Sequence, residues 1–184
     1  SVAEGAHRLV ADVLDLQELD DVLGHLAVAG FLALCPGEVE EGLGETGTHA
    51  VLRMNSMTTS GWLNLTDLKY ASLSKKDIES TELRDGDLLF NRTNSKELVG
   101  KCAIWRPVTG VYSFASYLVR FRLKPEMLPE FLWATLNSAY GKYRLLNSAK
   151  QAVSMANVSP TGLGRITIPL PPLLLQEKFA KFVH

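Results

Sequence analysis

Cysteine is scarce in this chain. The 184 residues hold two, Cys35 and Cys102, far apart and in no CxxC pattern. That spacing speaks against a structural zinc site and reads as two buried or incidental thiols. Nothing demands an oxidising compartment, so the cytoplasm is the expected location. Long apolar runs are missing too: none approaches the roughly 18 residues of a membrane-crossing helix. The most apolar N-terminal stretch, residues 26–34, is short and follows acidic residues rather than basic ones, the wrong context for a signal peptide. No membrane partner is expected.

Catalytic groupings are equally thin. The four histidines, His7, His25, His49 and His184, are scattered, and no GxSxG, HExxH or Walker pattern occurs. A methyltransferase would need a glycine-rich cofactor motif and an NPPY-like motif, and neither is there. A nuclease would need clustered carboxylates, and Glu97 with Lys101 lacks the spacing of an acid followed by ExK. The expectation is a non-catalytic protein with no cofactor and no metal.

What the chain has is charge, unevenly spread. Its net charge of −1 hides a segregation: residues 1–50 carry ten acids and the single base Arg8, whereas residues 51–184 carry eighteen bases and ten acids. Residues 84–124 alone hold eight bases against Asp85, Asp87 and Glu97. A basic body can attract phosphate even when an acidic portion cancels the sum. An ordinary solvated surface would give the same totals.

The length suits one domain with short appendages. Residues 1–29 read as helix, with Leu9, Val10, Val13, Leu14, Leu16, Leu19 and Val22 at three- and four-residue spacings. Residues 36–48, rich in glycine and glutamate, read as loop. From Ala50 the texture turns to short strands: residues 50–54, 62–65, 87–91 and 99–105. Residues 116–124 alternate most clearly. Val119, Phe121 and Leu123 face one way and Arg120, Arg122 and Lys124 the other, which predicts a sheet with one buried and one basic face. Pro129 opens a helix to about Leu146, residues 147–164 read as loop, residues 165–168 as strand, and Leu173 starts a new helix. The fold class is α+β: a small twisted, mostly antiparallel sheet with helices.

Three segments suit contact with a polyanion. Asn91, Arg92, Thr93, Asn94, Ser95 and Lys96 form a polar loop between two apolar strands, with Lys101 beside it on the returning strand. Arg and Lys pair with phosphates, and Arg and Asn also bind guanine and adenine edges bidentately. Lys150, Gln151, Ser154 and Asn157 lie in the loop after the Pro129 helix. Arg53 and Asn55 close the first core strand. Each segment would also serve as an ordinary turn. Trp62, Tyr70, Tyr112, Tyr117 and Tyr140 read as core or support residues rather than stacking platforms.

Three stretches together carry a resemblance: VLRMN at residues 51–55, GDLLFNRTNSKELVGKCAI at 86–104, and NVSPTGLGRITIPLPPLLLQEKFAKFV at 157–183. The last is the most specific, a proline-punctuated strand feeding a Gln-Glu helix. They resemble a target recognition domain of the specificity subunit of type I restriction-modification enzymes, over roughly residues 50–184. Residues 18–30 correspond weakly to that family's opening helix and turn. The resemblance implies a reader of one half of a split site in double-stranded DNA. It also implies docking to a modification (methyltransferase) subunit and, through it, a restriction subunit. Residues 1–48 would then be an N-terminal helical segment and acidic loop, residues 49–172 the recognition domain, and residues 173–184 the first turns of a long spacer helix. The apolar side of that helix, Leu174, Leu175, Phe179, Phe182 and Val183, would be a partner surface, open to a second copy as well. The alternative is a protein-docking module that binds no DNA by itself.

Overall fold

The computed structural model describes residues 25–27, 32–36, 43–92, 99–149, 158 and 160–183. Among these described residues nine strands run β1 (His25–Ala27), β2 (Leu32–Pro36), β3 (His49–Leu52), β4 (Lys69–Ala71), β5 (Leu88–Asn91), β6 (Cys102–Ile104), β7 (Tyr112–Phe114), β8 (Leu118–Leu123) and β9 (Thr167–Pro169). Five α-helices accompany them among the same residues: α1 (Lys75–Thr81), α2 (Pro129–Asn137), α3 (Ala139–Ala149), α4 (Pro160–Gly164) and α5 (Leu173–Val183). The arrangement is α+β, as expected, but the strands form three small sheets rather than one. Their orders are β2-β8-β5-β6, β4-β3-β7 and β1-β9. Every pairing among them is antiparallel except β3 with β7.

The four-stranded sheet is the centre. Successive side chains of β5 point to opposite faces, so Leu88 and Phe90 enter one core and Leu89 another. On the first face Val119, Phe121 and Cys102 meet Phe131, Leu132 and Leu136 of α2, Leu145 of α3 and Ile166. Phe90 stacks on Phe121 at 5.5 Å. On the second face Leu89, Ala103 and Trp105 meet Leu52, Met57 and Phe114. Both faces of β5 are therefore covered, which is why all four of its residues are buried.

Local chemistry sets the helix boundaries. Ser74 and Asp77 exchange bonds as a capping box for α1: Asp77 N–H donates to Ser74 Oγ, and Ser74 N–H to the Asp77 carboxylate, each at 3.2 Å. Pro129 stands in the first turn of α2, where its missing N–H costs nothing. The single helix expected to Leu146 breaks at Ser138, which is extended (ψ 164°). Ser138 Oγ donates to Thr135 O at 2.6 Å and accepts Gly141 N–H at 3.1 Å, ending α2 and starting α3. The bend brings α3 so close that a Cβ on Gly141 would lie 2.1 Å from Thr135 O.

Two expectations for the N-terminal half change. His25–Ala27, placed in a helix by the apolar spacing, is instead a strand paired antiparallel with β9, Leu26 opposite Ile168. Leu32–Pro36 pairs along β8, Leu34 opposite Phe121. Ladder bonds to partners more than 80 residues away in sequence outweigh a local period that spans one helical turn there. The rest of the expected helix, residues 1–24 and 28–29, lies outside the described residues.

Candidate nucleic-acid interface

The hairpin from β5 to β6 is closed by Asn91, whose N–H donates to Lys101 O at 2.8 Å and whose carbonyl accepts Gly100 N–H at 2.9 Å. Gly100 has φ 85°, and a Cβ there would lie 2.5 Å from Leu145 Cδ2. Only glycine lets α3 come this near the hairpin. Arg92 is half-buried. Its N–H donates to Tyr117 O at 3.1 Å, its Nε–H to Ser116 O at 3.0 Å, and its carbonyl accepts Val158 N–H at 2.8 Å.

Thr93, Asn94, Ser95 and Lys96 lie outside the described residues, as do Lys150, Gln151, Ser154 and Asn157. Even so, the Arg92–Val158 bond joins the described ends of these two segments, 66 residues apart in sequence. Nothing in the sequence spacing implied that junction.

The third segment is tied to the same place. Arg53–Ser56 makes a tight turn: Ser56 N–H donates to Arg53 O at 2.9 Å and Arg53 N–H to Ser56 Oγ at 3.0 Å. Asn55 is exposed on it. Arg53 does not project freely, for its Nη2 donates to Asp67 O at 3.2 Å and pairs with the Asp67 carboxylate at 3.5 Å. Lys101, expected beside the hairpin loop as a phosphate-positioning base, is only 7% exposed. Its ammonium donates to Met57 O at 2.8 Å and reaches Met54 O at 3.5 Å. Burial holds its pKa below the ordinary lysine range.

Of the basic face expected on β8, Lys124 is exposed just past the strand, but Arg120 and Arg122 are engaged by the protein itself. Arg120 is 8% exposed, lies over the Phe114 ring at 5.9 Å, and donates to Ser80 O and Glu82 O at the C-terminal end of α1. Arg122 grips Asp87 with two bonds, 3.0 and 2.7 Å, and also donates to Glu82 O at 3.1 Å. The physical reason is that a helix end leaves carbonyls without intrahelical donors. Here two arginines supply donors, and Arg120 also lies over Phe114 of the second core. Arg84 and Arg106 likewise pair with Glu82, Asp85 and Glu130.

Among the aromatics, Tyr70, Tyr112 and Tyr140 are half-buried as support residues, with Tyr112 against Trp105 at 4.9 Å. Tyr117 and Trp62 depart from that reading at 50% and 46% exposed. Tyr117 sits on the tight turn where Leu118 N–H donates to Ala115 O at 2.9 Å, beside Arg92. A strand beginning at Ser116 concealed this turn. Trp62 leans on Trp133 at 5.1 Å.

The C-terminal helix α5 divides its apolar residues. Phe179 packs edge-on against Phe131 at 6.0 Å and Val183 is buried, whereas Leu174, Leu175 and Phe182 are 62%, 47% and 58% exposed. Gln176, fully buried, anchors the helix. Its oxygen accepts Leu128 N–H at 2.8 Å, and its amide donates to Glu126 O at 3.0 Å and Pro171 O at 2.8 Å. Among the described residues no three His, Cys, Asp or Glu side chains are placed to hold a metal ion, and no helix is long and apolar enough to cross a membrane.

This α+β architecture is that of type I restriction-modification S subunits. The chain superposes over 99% of its length on 44% of the S subunit from M. genitalium, with a TM-score of 0.60 and 13% identity. The HsdS subunit from Thermoanaerobacter tengcongensis matches with a TM-score of 0.64, 15% identity and 45% of its chain covered. No family model matches the sequence. Two relatives do. The EcoKI type I restriction enzyme specificity subunit of Escherichia coli K12 is 27% identical over 147 residues, covering 79% of this chain and 31% of the relative. The putative MjaX specificity subunit of Methanocaldococcus jannaschii is 30% identical over 138 residues, covering 73% and 32%. The chain is thus a homologue of type I restriction enzyme specificity subunits, and it spans about a third of the length of these two relatives.

Proposed function

We propose that this chain is a target recognition domain that reads one half of a split site in double-stranded DNA. The recognition unit comprises residues 49–172 together with β1 and β2, and α5 begins a spacer helix. Methylation and cleavage belong to separate modification and restriction subunits. The exposed row Leu174, Leu175 and Phe182 faces an assembly partner, with a second copy as a further candidate. The observation that carries the reading is the meeting, at one junction, of the described residues that flank three polar segments. Arg92 O is bonded to Val158 N, Asn91 N to Lys101 O, and the Lys101 ammonium to Met57 O. Loops set on a rigid scaffold are where binding residues concentrate.

The test is selection of bound duplexes from a random library at two salt concentrations. The expected result is an enriched half-site of about three to five base pairs whose affinity falls as salt rises. Arg92→Ala should cost about 1–3 kcal/mol if the side chain reads a base, or lower the salt slope by about one if it holds a phosphate. No enrichment and no salt dependence would favour the docking module instead. Methyl incorporation or cleavage by the chain alone, with Mg²⁺ and a methyl donor, would overturn the non-catalytic assignment.

A further inference from the structure

Lys101 is buried with its charge held by carbonyls alone among its described bonds, Met57 O at 2.8 Å and Met54 O at 3.5 Å. Taking an ammonium out of water is costly unless its donors are matched. An apolar residue would fill this stem's space without that cost. What the ammonium adds is a mechanical link. Its main chain forms the hairpin base, where Lys101 O accepts Asn91 N–H at 2.8 Å. Its side chain meanwhile gathers both carbonyls on the underside of the turn that presents Asn55 and the 39%-exposed Met54 to solvent. Below the hairpin, Cys102 is clamped from the other side by Asn137. The turn is therefore tied to the base of the hairpin, where Asn91 meets Lys101.

We infer that Lys101 is a positioning residue: it touches no DNA but locks the Arg53–Ser56 turn to the hairpin base at Asn91 and Lys101, so that Asn55 and Arg92 read a site from one scaffold. This rests on the DNA-reading function proposed above. The lock also accounts for a lysine at a position where solvent cannot be the reason for a charge.

The test uses the full chain carrying Lys101→Met, which keeps an apolar stem and removes the ammonium, alone and combined with Asn55→Ala. Binding of the selected half-site and of a scrambled duplex is titrated at two salt concentrations, beside urea denaturation. We expect the ratio of specific to scrambled affinity to fall about tenfold, the size of one lost base-edge contact, with the salt slope unchanged. Asn55→Ala should then have little further effect in the Lys101→Met background, because the turn is already displaced. A salt slope lowered by about one would make Lys101 a phosphate contact and overturn the inference. So would a stability loss with the specificity ratio intact, which is what a merely structural lysine gives. A wild-type chain that enriches no sequence would instead remove the DNA reading itself, and this inference with it.

Discussion

Replacing Asn137 with alanine tests the scaffold on which the junction stands. β6 is an edge strand of the four-stranded sheet, so the outward N–H and C=O of Cys102 have no neighbouring strand. Asn137, 3% exposed, supplies one: its oxygen accepts Cys102 N–H at 3.1 Å and its amide donates to Cys102 O at 2.8 Å and to Trp133 O at 3.0 Å. The side-chain amide thus pairs with the strand as a peptide would and closes an edge that would otherwise invite another strand. Alanine leaves two buried backbone groups unsatisfied at about 1–3 kcal/mol each, partly relieved by entering water, so the expected loss is about 2–4 kcal/mol. For a chain of this size that is a fall in Tm of very roughly 4–16 °C. Urea denaturation followed by circular dichroism, with an unchanged m-value, measures it. Asn137→Asp should be no milder, since it sets an oxygen against Cys102 O and buries a charge. A loss below about 1 kcal/mol for Asn137→Ala, or a stable Asn137→Asp, would refute the account of the edge.

Gln176→Ala should cost about 2–4 kcal/mol by orphaning Leu128 N–H, Glu126 O and Pro171 O, and hydrogen exchange should show α5 loosened from α2 before the sheet opens. The Cys102 thiol, fully enclosed, has its pKa pushed far above the usual range by burial. In a Cys35→Ser background a thiolate-directed reagent should therefore label nothing at pH 7–9 until denaturant is added, and rapid labelling under native conditions would contradict the packing. Arg120→Met should lower stability by about 1–3 kcal/mol through the unmatched carbonyls at the C-terminal end of α1 while leaving the salt slope of DNA binding unchanged. A slope reduced by about one would return β8 to the DNA-facing surface.

The parts of the fold legible in the sequence are those with a strong local signal. The alternation around Phe121 gave β8 its extent within two residues, the apolar DLLF run located β5, and Pro129 and Leu173 marked helix starts that the structure keeps. β4 and β7, three residues each, have too little length to show a period, and β1 exists only because β9 pairs with it. The site was legible as composition but not as geometry. Arg92, Lys101 and Asn55 stand out in the sequence as polar residues at strand ends, and bonds of Arg92 and Lys101 link the hairpin base to Val158 and to the turn that carries Asn55. It could not be read from spacing that Lys101 points inward, or that Arg120 and Arg122 are occupied, since their partners lie 35 to 47 residues away. A charged residue at the polar register of a strand looks exposed until the element that covers it is known.

That occupation changes how the proposed DNA reading must work. The eighteen bases of residues 51–184 suggest a strong positive field, yet seven of them are engaged: Arg53, Lys69, Arg84, Arg106 and Arg122 each lie against a carboxylate, while Arg120 and Lys101 bond backbone carbonyls. Charges paired in this way release few counterions from a duplex and add little to sequence-independent affinity. A reader built so would discriminate mainly through positioned hydrogen-bonding groups at its junction. Phosphate contacts would then come from exposed bases outside these pairs, Lys76, Lys124 and Arg165 among them. Salt dependence should accordingly be shallower than eighteen free bases would give, and a slope as steep as that would mean that these pairs open on DNA.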